Sequence, residues 1–304
     1  MNDPKAIRVR VPASSANLGP GFDTLALALG LYLECTLRAS ESGFRVRVSG
    51  EDASGIPPDE TSLTWRAFLR LAGARAPRDV TLEITNAIPV GKGLGSSAAA
   101  IVAGLALANE WLQLSKSRED LVQLATEIEG HPDNVAAAVW GGLVASCQSD
   151  DGRVLAVKHR LPAAVEVVLA VPDFPLSTAA ARAALPALYS RKDAVFNVQR
   201  VALLLAALSE GRTDLFREAM RDRLHQPYRA PLIPGLEDIL QLRDVPGLLG
   251  VALSGAGPSV VAFCSGHADE VGAAMVACFR AKNIAARARQ LPVDTEGIVA
   301  ERLS

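Results

Sequence analysis

Residues 7–11 (IRVRV) and 44–48 (FRVRV) alternate apolar and basic side chains, the two-residue period of a half-exposed strand. The first run is predicted to stop at Pro12, which has no N–H for a ladder. Residues 80–85 (VTLEIT) alternate in the same way, while 24–37 and 165–171 (VEVVLAV) are more continuously apolar, the second reading as a buried strand. Helical spacing marks 61–71, and a long Ala-rich helix is predicted over 96–112. Ser117, with Asp120 three positions on, opens a further helix by a capping-box analogue, and Gly130-His131-Pro132 stops it. Gly141-Gly142 precedes another strand. The second half predicts helices over 178–188, 195–208, 214–224 and 268–281, and strands over 250–253 and 260–264. Strands and helices mix without regular alternation, which predicts an α+β fold rather than a doubly wound sheet. A length of 304 residues corresponds to about two domains. The expected division falls near residue 160, giving 1–160 and 161–304.

Composition narrows the function classes. At 49% hydrophobic residues the chain has ample material for a core. Thirty-one basic against 33 acidic residues leave a formal charge of −2, which argues against nucleic acid or an anionic membrane as the main partner. Only six of the basic residues are lysines, so 25 are arginines, whose planar fork suits carboxylates and phosphates. Cys35, Cys147, Cys264 and Cys278 are far apart and without histidines at zinc spacing, so buried thiols in a reducing compartment are expected. The first eleven residues, MNDPKAIRVRV, hold no apolar signal core, and the most sustained apolar run, 98–108, is short of the ~18 residues of a membrane span. A soluble cytoplasmic protein is the expectation.

Three loops of small residues carry the candidate chemistry. Between a strand and the Ala-rich helix lies Pro89-Val90-Gly91-Lys92-Gly93-Leu94-Gly95-Ser96-Ser97. Alternating glycines let the backbone approach a ligand and turn its N–H groups inward, and the helix start adds unpaired donors and a positive dipole end. Lys92 supplies a mobile cation, and the two serine hydroxyls can reach phosphate oxygens or Mg²⁺. These are the parts of a phosphate cradle, although the segment is neither a Walker A loop nor G-x-G-x-x-G. The segment SSANLGPGFD offers Asn17 and Asp23 as polar groups, and SGAGPS, from Ser254, sits between two strands where a tight hairpin is the plain alternative.

VPASSANLGPGFDTLALAL, PVGKGLGSSAA, EGHPDNVAAAVWGG and LSGAGPSV, in that order, resemble the family of galactokinase, homoserine, mevalonate and phosphomevalonate kinases over residues 7 to about 265. SANLGPGFD together with GHPDNV points to its homoserine branch. The resemblance implies an N-terminal domain like the second domain of ribosomal protein S5 and a ferredoxin-like C-terminal domain. It implies transfer of a phosphoryl group from MgATP to the side-chain hydroxyl of L-homoserine, a step of threonine biosynthesis. The triphosphate is expected in the loop from Pro89 to Ser97 with the helix start through Ala98 and Ala99, and Ser62 near adenine, where the family commonly has asparagine. Gly255 and Gly257 are expected to allow close backbone approach, and Ser97 to face the metal with one of Glu127 and Glu129, Glu129 being preferred. For the substrate the resemblance implies Asn17, Asp23 for the ammonium, Asn134 near the reacting hydroxyl, Thr178, and Arg182 and Arg229 for the carboxylate. Lys92, Asp133 and Asn134 are the candidate catalytic groups; whether Asp133 or the transferred phosphate takes the proton stays open, with a structural role for Asp133 preferred. His131 is expected to fix the loop rather than bind metal. A homodimer is the expected assembly. The alternatives are a mevalonate- or sugar-type kinase of the same family, for which a zwitterion pocket is misplaced, and a non-catalytic RNA-binding module, disfavoured by the charge and by only 3 Trp, 3 Tyr and 8 Phe.

Overall fold

A computed structural model describes residues 6–303; the first five residues, part of the stretch read for a signal core, and Ser304 lie outside it. The N-terminal half runs β1 (Ala6–Asn17), β2 (Gly21–Ala39), β3 (Arg45–Gly50), α1 (Leu63–Ala72), β4 (Val80–Asn86), α2 (Ser96–Trp111), α3 (Arg118–Glu129), α4 (Asp133–Trp140), β5 (Leu143–Gln148) and β6 (Val154–His159). The remainder runs β7 (Glu166–Pro172), α5 (Thr178–Ala183), α6 (Arg191–Ser209), α7 (Phe216–Ala219), α8 (Gln226–Arg229), α9 (Leu236–Leu240), β8 (Leu248–Leu253), β9 (Val260–Cys264), α10 (Ala268–Ala281), β10 (Ala286–Leu291) and β11 (Val299–Leu303). Seven strands make the first sheet, ordered β11-β1-β2-β4-β3 with β5 on β2 and β6 on β5. The second sheet is β10-β7-β9-β8, antiparallel throughout. With its helices this gives the β-α-β-β-α-β order of a ferredoxin-like unit. The α+β expectation holds. Residues 161–304 supply the whole second sheet and, through β11, one strand of the first.

One buried cluster runs from β1 and α2 to Val167, Leu169 and Phe263 of the second sheet, so the two sheets share a core. Within it α2 is buried on nearly all sides, as a helix of small apolar residues between sheet and neighbours must be. A second cluster packs α9 and α10 on the opposite face of β7 and β9. The capping box of α3 is complete: Ser117 Oγ accepts the Asp120 N–H at 3.1 Å and Asp120 Oδ2 accepts that of Ser117 at 2.9 Å.

Several expectations change. β1 does not stop at Pro12 but continues to Asn17, because the pairing with β2 shifts register between Pro12 and Ala13, an irregularity that tolerates the missing donor. The stretch read as a loop, SSANLGPGFD, is therefore a long hairpin whose turn spans only residues 18–20. Residues 178–188 and 214–224 hold only the short helices α5 and α7. Unforeseen were α4, framed by Pro132 and Gly141, and the largely exposed strands β6, β10 and β11, whose pattern is mostly polar or uniform. All four thiols are free; Cys35 and Cys264 are buried as expected, but Cys147 is exposed. No helix among the described residues is long and apolar enough to cross a membrane.

Candidate functional site

The three small-residue loops meet at one cavity of about 300 Å³. Backbone bonds stitch them: Ser14 N–H to the Leu94 carbonyl (3.1 Å), Gly255 N–H to that of Ala16 (3.0 Å), and Ser259 N–H to that of Lys92 (3.2 Å). Contact this close requires glycine at two positions of the central loop. A Cβ at Gly93 (φ +73°) would lie 2.2 Å from the Ser254 carbonyl oxygen, and one at Gly95 (φ +69°) 2.0 Å from Ser14 Oγ. Asn17, Leu18 and Asp23 also hold positive φ without being glycine, strain concentrated in the hairpin that lines the cavity.

Gly95 precedes α2, whose first intrahelical bond is donated by Ala99 to the Gly95 carbonyl (2.9 Å). The N–H groups of Ser96, Ser97 and Ala98 come before it and stand at the positive end of a sixteen-residue helix. Ala99 itself is thus committed, and the side chains of Ala98 and Ala99 are in the core. Ser97 Oγ donates to Glu129 Oε2 at 2.7 Å, joining the start of α2 to the end of α3. Of the two glutamates, Glu129 faces the cavity; Glu127 instead accepts from Gln123. Lys92 differs from a mobile cation: its ammonium donates to the Pro172 carbonyl at 2.8 Å, tethering the loop to β7. Burial lowers its pKa, with Asp173 and Asp52 opposing. Gly255 lines the cavity, whereas Gly257 faces Ile233 and Leu253.

The charged end of the cavity gathers Asp23, His131, Asp133, Arg182 and Arg229. Arg182, in the last turn of α5, binds both oxygens of Asp23, at 2.8 and 3.0 Å. That hydrogen bond, against burial, raises the arginine's pKa. The ion pair is one-third exposed and so adds little to stability. Arg229 is different. Only 2% exposed, it donates from Nε to the Ala181 carbonyl (3.2 Å) and from Nη1 to that of Gly255 (3.0 Å), and has no carboxylate within ion-pair distance among the described residues. Burial, and then the charge of Arg182, push its pKa down to about 10. Thr178 stands on the same wall, in the first turn of α5 behind its Ser177 cap.

Asn17 is less free than expected, since Nδ2 donates to the Gly255 carbonyl (2.8 Å) and Oδ1 accepts the Asp23 N–H (3.1 Å). Asn134 Oδ1 accepts from Ser14 Oγ at 2.8 Å, and its Nδ2 donates to Asp133 Oδ1 at 3.4 Å. Asp133 is buried, and its Oδ1 accepts the Asn134 N–H and faces His131 Nδ1, both at 2.7 Å. Burial opposes the charged form of His131, but its bond to Asp133 and the charges of Asp133 and Glu129 outweigh that and raise its pKa. Asp23, His131 and Asp133 could converge on a cation, since their ligand atoms fall within 4.8 Å. They are instead satisfied by Arg182 and by one another, which leaves Ser97 and Glu129 as the oxygen pair beside the cradle.

At the other end the cavity is an apolar slot of Ile56, Pro57, Ile84, Pro89 and Val90. Ser62 is fully buried there, and its hydroxyl has no partner among the described residues. An orphan buried hydroxyl costs about 1–3 kcal/mol, a deficit that a polar ligand edge in the slot would remove. Of the slot, Pro89 and Val90 belong to the expected loop, whereas Ile56, Pro57 and Ile84 were not singled out from the sequence, nor were Ser14, Ser254, Phe22 and His225. Ser14 and Phe22 lie inside a motif that was, whereas nothing in the sequence pairs His225 with anything.

The model of the GHMP kinases N terminal domain matches residues 62–142, and that of the GHMP kinases C terminal matches 204–281. A homoserine kinase of Solibacter usitatus is 52% identical over 257 residues, 84% of each chain. One of Moorella thermoacetica is 45% identical over 96% of this chain and 98% of its own. The crystal structure of homoserine kinase from Cytophaga hutchinsonii superposes with a TM-score of 0.87 at 32% identity, covering 99% of both chains.

Proposed function

The chain belongs to the GHMP kinase family, an ATP-dependent kinase acting on a hydroxyl group, and on that premise we propose that it phosphorylates the side-chain hydroxyl of L-homoserine. The products are O-phospho-L-homoserine and ADP, a step of threonine biosynthesis. The observation that carries the substrate assignment is Arg229, a cation buried to 2% exposure without a carboxylate partner. An uncompensated buried charge costs several kcal/mol. A ligand carboxylate at its free Nη2 edge removes that cost. Asp23, 2.8 Å from Arg182, meets the substrate ammonium, so a zwitterion adds to an ion pair of matching sense. Neither a sugar nor mevalonate carries both charges.

In this reading adenine fills the apolar slot with an edge on Ser62, and the triphosphate follows Pro89 to Ser97, its oxygens on the N–H groups of Ser96, Ser97 and Ala98. Lys92 contributes by fixing the loop to Pro172. Mg²⁺ suits the hard oxygens of Ser97 and Glu129, and when bound it neutralises phosphate charge. The acceptor oxygen of homoserine attacks the γ-phosphorus, the bond to the β–γ bridging oxygen breaks, and the hydroxyl proton passes to the transferred phosphate. Asn134, aimed by Ser14, orients that hydroxyl, and Thr178 closes the wall beside it. Asp133 positions His131 and Asn134 instead of serving as base, because its facing oxygen is already taken by both. Catalysis is then positioning and charge neutralisation. We assign residues 1–160 to nucleotide binding and 161–304 to the ferredoxin-like half, and place the enzyme in the cytoplasm as a homodimer.

An ADP-release assay with homoserine, serine, threonine and mevalonate tests the reading. A kcat/KM for homoserine well above the other three is expected; equal rates with mevalonate would overturn it.

A further inference from the structure

His225 is fully buried one helical turn before Arg229, and its two ring nitrogens make different bonds. Nε2 lies 2.7 Å from the Gly19 carbonyl oxygen, which only accepts, so Nε2 carries a proton. Nδ1 lies 3.3 Å from Arg229 Nη1, which only donates, so Nδ1 carries none. The imidazole is therefore neutral and in one tautomer. Phe22 stacks on the imidazole at 5.2 Å and lies under the Arg229 guanidinium at 5.3 Å. The hairpin tip, the ring and the guanidinium form one stack.

We propose that His225 is a positioning residue for substrate binding: as the neutral Nε2–H tautomer it ties Arg229 to the β1–β2 turn and presents the free edge of the guanidinium to the substrate carboxylate. The inference rests on the assignment of Arg229 to that carboxylate. Two features of the surroundings fit this role. Asp222 accepts the backbone N–H groups of His225 (2.9 Å) and Gln226 (2.7 Å) through Oδ2, and through Oδ1 the backbone N–H of Leu224 (3.0 Å) and the side-chain amide Nδ2 of Asn197 (2.7 Å), which fixes the start of α8. Gly19 packs so closely on the Met220 backbone that a Cβ would fall 2.1 Å from its carbonyl oxygen, so the acceptor for Nε2 cannot drift.

Protonation breaks the arrangement, because Nδ1–H would face the Arg229 N–H with like charges in contact. The groups facing the ring are Asp222, 3.7 Å from Nε2, Arg229 on its own helix and Asp23 from β2; the Arg182 guanidinium lies 5.6 Å from the Phe22 ring centre, and Tyr189 binds the Leu224 carbonyl. Burial dominates; Asp222 opposes it and Arg229 reinforces it, and the pKa is held below the ordinary histidine value. The neutral form thus prevails at neutral pH, and substrate recognition is lost only where acidification passes the lowered pKa.

Three measurements test the proposal. Long-range ¹⁵N–¹H NMR of the wild-type protein is expected to show His225 protonated on Nε2 alone at pH ~7. An Nδ1–H tautomer or an imidazolium there would overturn the proposal, however the variants fold. His225→Gln, whose amide donates to the Gly19 carbonyl and accepts from Arg229 in place of the ring, should keep the homoserine KM within about threefold of wild type, while His225→Leu, which does neither, should raise it about tenfold with kcat little changed. The ATP KM should respond equally in both variants. A Leu variant that keeps the wild-type homoserine KM, or a loss that Gln does not restore, refutes the role of His225. Arg229→Lys separates the two readings: if it leaves the homoserine KM unchanged, the carboxylate assignment itself has failed.

Discussion

At the scale of single residues, what distinguishes the site is which polar groups are already committed. Asp23 and Arg182 neutralise each other, Asn17 is spent on holding the Gly255 carbonyl and the Asp23 N–H, and Arg229 is buried without an anion among the described residues. Replacing Arg229 by Lys keeps the charge but loses the fork that holds the Ala181 and Gly255 carbonyls at once. Its homoserine KM should rise about 10–100-fold, with the ATP KM within about twofold. Steady-state kinetics with each substrate varied in turn check this, and an effect confined to ATP would contradict the assignment. For Asp133→Asn the expectation is a fall in kcat of less than ~10⁴-fold, because the carboxylate orients neighbours and takes no proton. A larger loss would restore it as the general base. Residue types were legible from the sequence: an acid for an amine, arginines for a carboxylate, glycines beside a helix start. Their commitments were not, since the partner of Lys92 is 80 positions away and that of Asp23 is 159.

Elements were legible where local chemistry sets them. The capping box of α3 and the Gly95 start of α2 are written within a few consecutive residues, and both helices begin where the pattern placed them. Elements whose pattern reflects a distant neighbour were not: β1 passes Pro12 because β2 accommodates a register shift, and α4 hides behind turn-forming residues until Pro132 and Gly141 are seen to bracket it. Two predictions belong here. Ser117→Ala removes half of the capping box and should cost about 1 kcal/mol in urea unfolding, leaving both KM values unchanged, since the cap is at the end of α3 remote from Glu129. Gly95→Ala should instead raise the ATP KM at least tenfold, because a Cβ at φ +69° strikes Ser14, whose hydroxyl aims Asn134. If Gly95→Ala bound ATP normally, the cradle would not depend on the contact between loop and hairpin.

For the molecule as a whole, the last strand matters more than its position suggests. β11 leaves the ferredoxin-like half and pairs with β1, from Ala6 opposite Leu303 to Arg10 opposite Val299, behind the hairpin that carries Asn17 and Asp23. The shared core from β1 through α2 to β9 joins the halves a second time. Unfolding should therefore be a single transition, with the nucleotide and amino-acid ends of the cavity lost together. A chain ending at Ile298 tests this coupling, since it loses five register pairs on β1 and the Arg302–Glu110 ion pair but no cavity residue. At about 1 kcal/mol for each net ladder bond, roughly 3–5 kcal/mol of stability should disappear, read as a lower urea midpoint. The active fraction should fall as temperature approaches the new midpoint while both KM values stay unchanged, because an all-or-none transition removes whole molecules rather than loosening one end of the cavity. A truncated protein that kept the full-length midpoint would mean that β11 only decorates the sheet edge, and that the two halves are held together by the shared core alone.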